Sequence, residues 1–118
     1  MKPLDRLAQD QRVANVDADG ALAFAREPAP GVLLLPGDPM RPEVVDVAVV
    51  MGELLTTHPA LRFGVAPVGD EAAMRERFGV TSFPALLFVK NGEVAKVLAR
   101  MQAWSTYEGA ASALEVAS

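Results

Sequence analysis

The stretch from Gly79 to Arg100, GVTSFPALLFVKNGEVAKVLAR, predicts a strand, a tight turn and a second strand. Its four consecutive apolar residues, 86–89, are typical of a strand that is covered on both faces. Asn91 and Gly92 follow, and both tolerate the positive φ that a two-residue hairpin turn requires. We therefore expect residues 93–98 to return antiparallel to the first strand.

Pro84 opens the first strand of this hairpin, a position where its missing N–H does little harm. The residue before it, Phe83, is pushed away from helical geometry by the proline ring. Spacing alone leaves the isomer of the Phe83–Pro84 bond open.

Length and composition predict one domain over residues 1–118, because 51% of the 118 residues are hydrophobic and can build a core without disulfides or metal. The formal net charge of -4 disfavours nucleic acid and anionic membrane as partners and leaves room for a basic peptide or protein. The beginning of the chain lacks the apolar core of a secretory signal, and no apolar segment is long enough to span a bilayer. We expect a cytoplasmic protein.

The rest of the chain alternates strands and helices, and the longest helix is expected over residues 41–58, ending at His58–Pro59. Asp17 and Asp70 are predicted N-caps of two shorter helices, and Ser105 or Thr106 is predicted to cap a last helix that carries Leu114 and Val116 inward. The predicted helices cover residues 3–9, 18–26, 41–58, 71–78 and 105–116, and the predicted strands cover 12–16, 32–35, 61–68, 86–89 and 93–98. Crossovers of helix length followed by a terminal hairpin indicate an α/β fold.

Catalytic chemistry finds little support in the sequence. There is no cysteine, so disulfide exchange and thiolate attack are excluded. The single histidine, His58, is expected at the far end of the long helix from Asp38, and it is better explained as a helix C-terminal residue favoured by the dipole than as a ligand. Carboxylates are scattered singly, so we expect no metal, no cofactor and no enzyme activity.

The sequence FGVTSFPALLFVKNGE, residues 78–93, resembles the C-terminal half of thioredoxin, where a short loop leads through a cis-proline into a strand and a hairpin. The resemblance implies a three-layer α/β/α sandwich with a central mixed sheet and a C-terminal β-hairpin. Thioredoxin has Trp-Cys-Gly-Pro-Cys between the strand matched by residues 32–35 and the long helix. Here the sequence is LPGDPMRPE, residues 35–43, without either thiol.

In the thioredoxin arrangement three loops meet on one surface, here residues 36–41, 81–84 and 99–101. Met40, Phe83 and Met101 would give this surface apolar contacts, and Asp38 and Glu43 would give it negative charge. The candidate binding residues are Pro36, Gly37, Asp38, Pro39, Met40, Arg41, Glu43, Phe83, Pro84 and Met101.

Four of these residues also have a purely structural explanation. Met40 can pack against the helix start and Phe83 can belong to the core, while Asp38 and Glu43 can simply cap the helix and complement its dipole. Trp104 either covers the sheet or, if exposed beside Met101, anchors an interface.

The Asp-Arg-Leu near the start, the Pro-Gly-Asp-Pro-x-Arg loop (36–41) and Phe-Pro-Ala-Leu-Leu-Phe (83–88) together resemble the hydrogenase-expression accessory proteins of the HyaE/HupG type. That resemblance implies a cytoplasmic chaperone that binds the twin-arginine leader of a nickel–iron hydrogenase small-subunit precursor, through the loop at 36–41 and Phe83–Pro84. The alternatives are a redox-inactive thioredoxin-fold module or subunit that recognises a folded partner, and an enzyme that works without a thiol or binds glutathione.

Overall fold

A computed structural model describes residues 2–116, which form five helices and five strands. Their bounds are α1 Pro3–Gln9, β1 Val13–Asn15, α2 Ala18–Arg26, β2 Gly31–Leu35, α3 Pro42–Thr57, β3 Arg62–Val65, α4 Glu71–Phe78, β4 Ala85–Lys90, β5 Glu93–Ala99 and α5 Trp104–Val116. None of the helices within residues 2–116 has the length and apolar character needed to cross a membrane.

The strands form one sheet in the order β1-β3-β2-β4-β5. β1, β3 and β2 run parallel, and β4 and β5 are antiparallel to their neighbours, so the predicted mixed central sheet is confirmed. β2 lies in the middle, where Leu33 is opposite Gly64 on one side and Leu87 on the other. The loop that follows β2 therefore leaves the sheet at its centre.

The central strands send alternate side chains into two separate cores, because successive residues of a strand point to opposite faces. Leu34 and Leu86 pack with α1, α3 and α5, whereas Leu33 and Leu87 pack with α2 and α4. All four leucines are fully buried. Helices thus cover both faces of the sheet, and the predicted three-layer sandwich is confirmed.

The hairpin matches its prediction, and the structure gives the isomer of the proline bond that the sequence left open. Asn91 and Gly92 have φ values of 55° and 82°, as a two-residue turn of this kind requires. The Phe83–Pro84 peptide bond is cis, the isomer implied by the resemblance to thioredoxin.

Asp70 is the N-cap residue of α4 by position, as predicted, but the expected side-chain cap is absent. With φ -90° and ψ 11°, Asp70 does not have the extended geometry of a usual N-cap, and its side chain makes no cap to α4. Its carboxylate instead accepts the N–H of Ala18 at 2.9 Å and so supports the first turn of α2. Asp17 does cap α2, accepting from the N–H of Gly20 at 2.7 Å.

Two predictions for the last helix are also wrong. α5 already begins at Trp104, where the N–H of Thr106 donates to the carbonyl of Ala103, so neither Ser105 nor Thr106 is its N-cap. Val116 is 84% exposed although Leu114 is buried. Two residues correspond to a rotation of about 200° around a helix, which places the two side chains on opposite faces.

Candidate functional site

The loop after β2 begins with two buried residues, Pro36 and Gly37. Gly37 has φ +72°, and a Cβ atom at this position would lie only 2.6 Å from the Cβ of Phe83. A glycine is therefore required both by the backbone conformation and by the close approach of the two loops. This contact brings the Pro-Gly-Asp-Pro segment against the cis-proline loop.

Asp38 lies exposed at the tip of this loop and organises its turn. Its Oδ1 accepts the N–H of Met40 at 2.9 Å, and its carbonyl accepts the N–H of Arg41 at 3.2 Å. No ion pair within residues 2–116 involves its carboxylate. Met40 is 77% exposed, so it does not pack against the helix start.

Arg41 is the N-cap residue of α3 by position, without a side-chain cap to the helix. Its Nη1 donates to the carbonyl of Phe83 at 3.3 Å, and its Nη2 lies 3.7 Å from a carboxylate oxygen of Glu43. Arg41 thus links the first turn of α3 to the residue that precedes the cis-proline.

Glu43 is the main acceptor in this region. The guanidinium of Arg100 donates to both of its carboxylate oxygens through Nε at 3.0 and 2.9 Å, and through Nη2 as well, and the N–H of Met101 donates to it at 3.3 Å. The hydrogen bonds from Arg100 hold the pKa of Glu43 below its ordinary value. Glu43 therefore stays ionised, and its charge is neutralised within the protein.

The segment after β5 is fixed by backbone contacts. The N–H of Arg100, a residue with φ +64°, donates to the carbonyl of Pro84 at 2.7 Å. The buried hydroxyl of Tyr107 accepts the N–H of Gln102 at 2.9 Å and donates to the carbonyl of Arg100 at 3.1 Å. The three loops at 36–41, 81–84 and 99–101 therefore meet at the N-terminus of α3.

A shallow cavity of about 320 Å³ lies between these loops and α4. Asp38 and Arg41 line it from the loop after β2, and Glu71 and Arg75 line it from α4. The guanidinium of Arg75 lies 5.3 Å from the centre of the Phe83 ring, a distance typical of a cation–π contact. Glu71 and Arg75 were not predicted from the sequence, because α4 has charged residues on most of its surface and no pattern distinguished the side that faces the loop.

The predicted site residues divide into two groups. Those whose side chains are buried contribute shape and backbone groups: Pro36, Gly37, Phe83 and Pro84. Those whose side chains are half-buried or exposed can contact a partner: Asp38, Pro39, Met40, Arg41, Glu43 and Met101. Phe83, only 8% exposed, belongs to the core that contains α2 and α4.

A second polar cluster lies at the opposite end of α3. His58, the C-cap residue, is buried between two glutamates of α5: its Nε2 is 2.9 Å from a carboxylate oxygen of Glu108, and its Nδ1 forms a short contact with Glu115. Burial alone would lower the pKa of His58, but the hydrogen bonds and charges of the two glutamates outweigh it and raise the pKa above 6.5. His58 lies at the C-terminal end of α3, as predicted, but as the C-cap residue just beyond the helix. Its two partners, 50 and 57 residues away, were not predicted.

No group of three or more potential ligands within residues 2–116 is arranged to hold a metal ion. The site at the start of α3 consists of exposed and half-buried carboxylates, arginines and apolar side chains around a buried glycine and proline.

The sequence of the chain matches a known protein family. Residues 4–107 match the family model of the hydrogenase-1 expression protein HyaE. The chain belongs to the HyaE family. The expected resemblance is therefore confirmed, over most of the chain.

Hydrogenase expression/formation proteins from several bacteria are similar to this chain. It is 40% identical over 109 residues to the hydrogenase expression/formation protein HupG of Bradyrhizobium diazoefficiens, with 91% of this chain and 68% of that protein covered. It is 36% identical over 108 residues to the hydrogenase expression/formation protein HoxO of Cupriavidus necator, with 88% and 67% covered. The aligned region is 63% of the HoxO protein of Azotobacter vinelandii, so this chain spans about two thirds of these relatives.

Solved structures place the HyaE-family chain in the thioredoxin-like fold. Thioredoxin f from spinach chloroplast superimposes with a TM-score of 0.76 at 14% identity, covering 88% of this chain and 94% of that one. Mitochondrial thioredoxin 3 from Saccharomyces cerevisiae gives a TM-score of 0.74 at 12% identity, covering 86% and 94%. At such low identity the likeness concerns the fold alone.

Proposed function

We propose that this protein is a non-catalytic chaperone that acts in the cytoplasm and binds the basic leader peptide of a hydrogenase small-subunit precursor before export. Membership of the HyaE family supports a role in hydrogenase formation. Binding of a basic leader is supported chiefly by the exposed carboxylate of Asp38. This carboxylate has no ion-pair partner within residues 2–116 and lies where thioredoxin has its reactive loop.

The loop chemistry supports binding rather than catalysis. The chain contains no cysteine, so the loop after β2 has no thiolate to attack a disulfide or a carbonyl. The loop retains its place at the start of a long helix and beside a cis-proline. We therefore assign this surface a binding role and no bond-breaking step.

The negative charge of this surface was expected from Asp38 and Glu43, but Asp38 and Glu71 are better placed than Glu43 to meet a basic leader. Glu43 is already paired with Arg100 and Arg41. Asp38 and Glu71 both border the cavity, and neither is ion-paired within the described part of the chain. An arginine side chain of the leader can pair with either one without displacing a protein side chain.

The cis-proline loop offers free backbone groups to an extended peptide. The carbonyls of Phe83 and Pro84 accept hydrogen bonds from Arg41 and Arg100. The backbone groups of Thr81 and Ser82 form no hydrogen bond with any of residues 2–116. A peptide that lies along this loop can pair with them as an added strand does.

The test is calorimetric titration of the protein with a hydrogenase small-subunit precursor, with and without its leader, at low and moderate salt. We expect binding that requires the leader and weakens with salt. Asp38→Asn is expected to weaken it by about tenfold, whereas Asp5→Asn, an exposed acid on α1, serves as the matched control and is expected to leave it unchanged.

Equal affinity for the precursor without its leader would contradict the proposal and favour recognition of a folded subunit. No binding of either form would contradict a role for this surface in handling the precursor.

A further inference from the structure

Three large apolar side chains remain exposed at the edge of the same surface. Met40 is 77% exposed, and Met101 and Trp104 are each 41% exposed. We call these three residues the apolar rim. We propose that the apolar rim binds the apolar stretch that follows the basic residues of a leader peptide, an inference that rests on the proposed function.

The rim is built from two segments that Glu43 joins. Met40 lies just before α3, in whose first turn Glu43 is found, and Glu43 accepts the N–H of Met101 at 3.3 Å. Trp104 is the first residue of α5, three positions beyond Met101. Met40 and the Met101–Trp104 segment therefore flank the start of α3.

The backbone of the rim is fixed although its side chains are exposed. The carboxylate of Asp38 accepts a hydrogen bond from the N–H of Met40. The hydroxyl of Tyr107 accepts one from the N–H of Gln102 and donates one to the carbonyl of Arg100, on either side of Met101. These loops are therefore already ordered in the free protein, so that binding does not carry the entropic cost of ordering them. Exposed methionine and tryptophan on an ordered backbone are typical of adaptable binding surfaces.

The carboxylates and the rim lie on two sides of the start of α3. Glu71 belongs to α4, which covers one face of the sheet, and Trp104 belongs to α5, which covers the other face. Asp38 and Met40 lie between them at the start of α3, joined by a hydrogen bond of 2.9 Å. Leader peptides have a positively charged region followed by an apolar region of about 7–15 residues.

A leader that crosses the start of α3 would thus place its arginines near Glu71 and Asp38 and its apolar residues on the rim. This arrangement combines two carboxylates that have no ion-pair partner within residues 2–116 on one side of the loop with burial of apolar surface on the other.

Trp104 is the only tryptophan of the chain, so its fluorescence reports directly on the rim. The experiment uses the full chain and three synthetic leader peptides without tryptophan: an unmodified leader, one with its arginine pair changed to glutamine, and one with its apolar leucines changed to serine. Emission wavelength and acrylamide quenching of Trp104 are measured during each titration.

We expect the unmodified leader to shift the emission of Trp104 to shorter wavelength and to reduce quenching, and we expect the serine-substituted leader to bind at least about tenfold more weakly. The double variant Met40→Ser, Met101→Ser is expected to lose about tenfold in affinity for the unmodified leader. Val49→Ser is the matched control, because Val49 is 50% exposed in the middle of α3, away from the rim.

Two results would contradict the inference, and they are distinguishable. If the unmodified and serine-substituted leaders bind equally, with no change in Trp104 emission, the rim inference is wrong while the proposed function stands. If none of the three leaders binds, the proposed function is wrong and the rim inference with it.

Discussion

Arg100 donates its Nε–H to the carboxylate of Glu43 at 2.9 Å, linking the end of the hairpin to the first turn of α3 across 57 residues. The same carboxylate lies near Arg41, so two arginines of the protein already surround it. In the free protein Glu43 therefore acts as a structural acid that joins two loops, and an arginine of a ligand would have to displace Arg100 to reach it.

Replacing Arg100 separates the structural role of Glu43 from its availability to a ligand. We expect Arg100→Gln to lower the midpoint of thermal unfolding by less than about 6 °C, because Arg100 is exposed and Glu43 is only half-buried, so that solvent and salt weaken their ion pair. The same variant should bind a basic leader more tightly, since it removes a cation and frees the carboxylate of Glu43. Thermal melts and calorimetric titration measure the two effects.

Arg12→Gln is the matched control for this variant, because it breaks an exposed ion pair with Asp10, away from the site. Its effect on unfolding should be similarly small and its effect on leader affinity absent. Weaker leader binding by Arg100→Gln would show that the fixed loop matters more than the freed charge.

Gly37 sets the distance between the loop after β2 and the cis-proline loop. Gly37→Ala is expected to destabilise the protein by about 2–4 kcal/mol, because alanine disfavours the positive φ and its Cβ would overlap Phe83. Gly52→Ala is the matched control: this glycine lies inside α3 with no atom within 4 Å of the added Cβ. It should stabilise the protein by about 0.5–1 kcal/mol. Denaturant unfolding of both variants tests the contrast, and equal effects would contradict it.

The hydroxyl of Tyr107 supports the segment at residues 100–102. Tyr107→Phe keeps the ring but leaves the N–H of Gln102 and the carbonyl of Arg100 without this partner. We expect a loss of about 1–3 kcal/mol in the free energy of unfolding and faster amide hydrogen exchange at Gln102. Unchanged exchange at Gln102 would show that other contacts fix the segment.

The cluster of His58 with Glu108 and Glu115 predicts a pH dependence of stability. The pKa of His58 is raised, so its stabilising contribution is fully present below its ordinary value of 6.5 and is lost as pH rises through the folded value. The hydrogen bond from His58 holds the pKa of Glu108 below 4.5, so its contribution is lost only as pH falls through that lowered value. The cluster should stabilise the packing of α5 on α3 most strongly between about pH 4.5 and 6.5.

Glu108→Gln tests this expectation by thermal unfolding as a function of pH. The melting temperature of the variant should differ most from that of the unchanged protein at about pH 5.5 and least at about pH 9. Glu53→Gln serves as the control, since Glu53 is exposed on α3 and forms no ion pair within residues 2–116. A difference that is the same at every pH would show that Glu108 contributes packing and not charge.

Local signals in the sequence predicted most of the fold. The apolar run at residues 86–89 and the Asn91–Gly92 turn determine a hairpin, and the Asp17 cap and the proline at position 42 mark where helices start. These features depend on interactions between residues that are close in sequence. Residue propensity and periodicity describe such local geometry well. Asp70 shows the limit of such reasoning: its residue type is right for a cap, but its carboxylate serves a helix 52 residues away.

The sequence by itself determined the α/β order, the hairpin and the loss of thiol chemistry, because these follow from residue types and their spacing along the chain. Only the tertiary structure decided which charges are available at the site. Arg100 pairs with Glu43 and not with Asp38, so Asp38 is the carboxylate that stays available. The packing of α3 and α5 decides whether Met40, Met101 and Trp104 are exposed. Electrostatic pairing and burial act through space between residues far apart in sequence, and no local pattern records which of them meet.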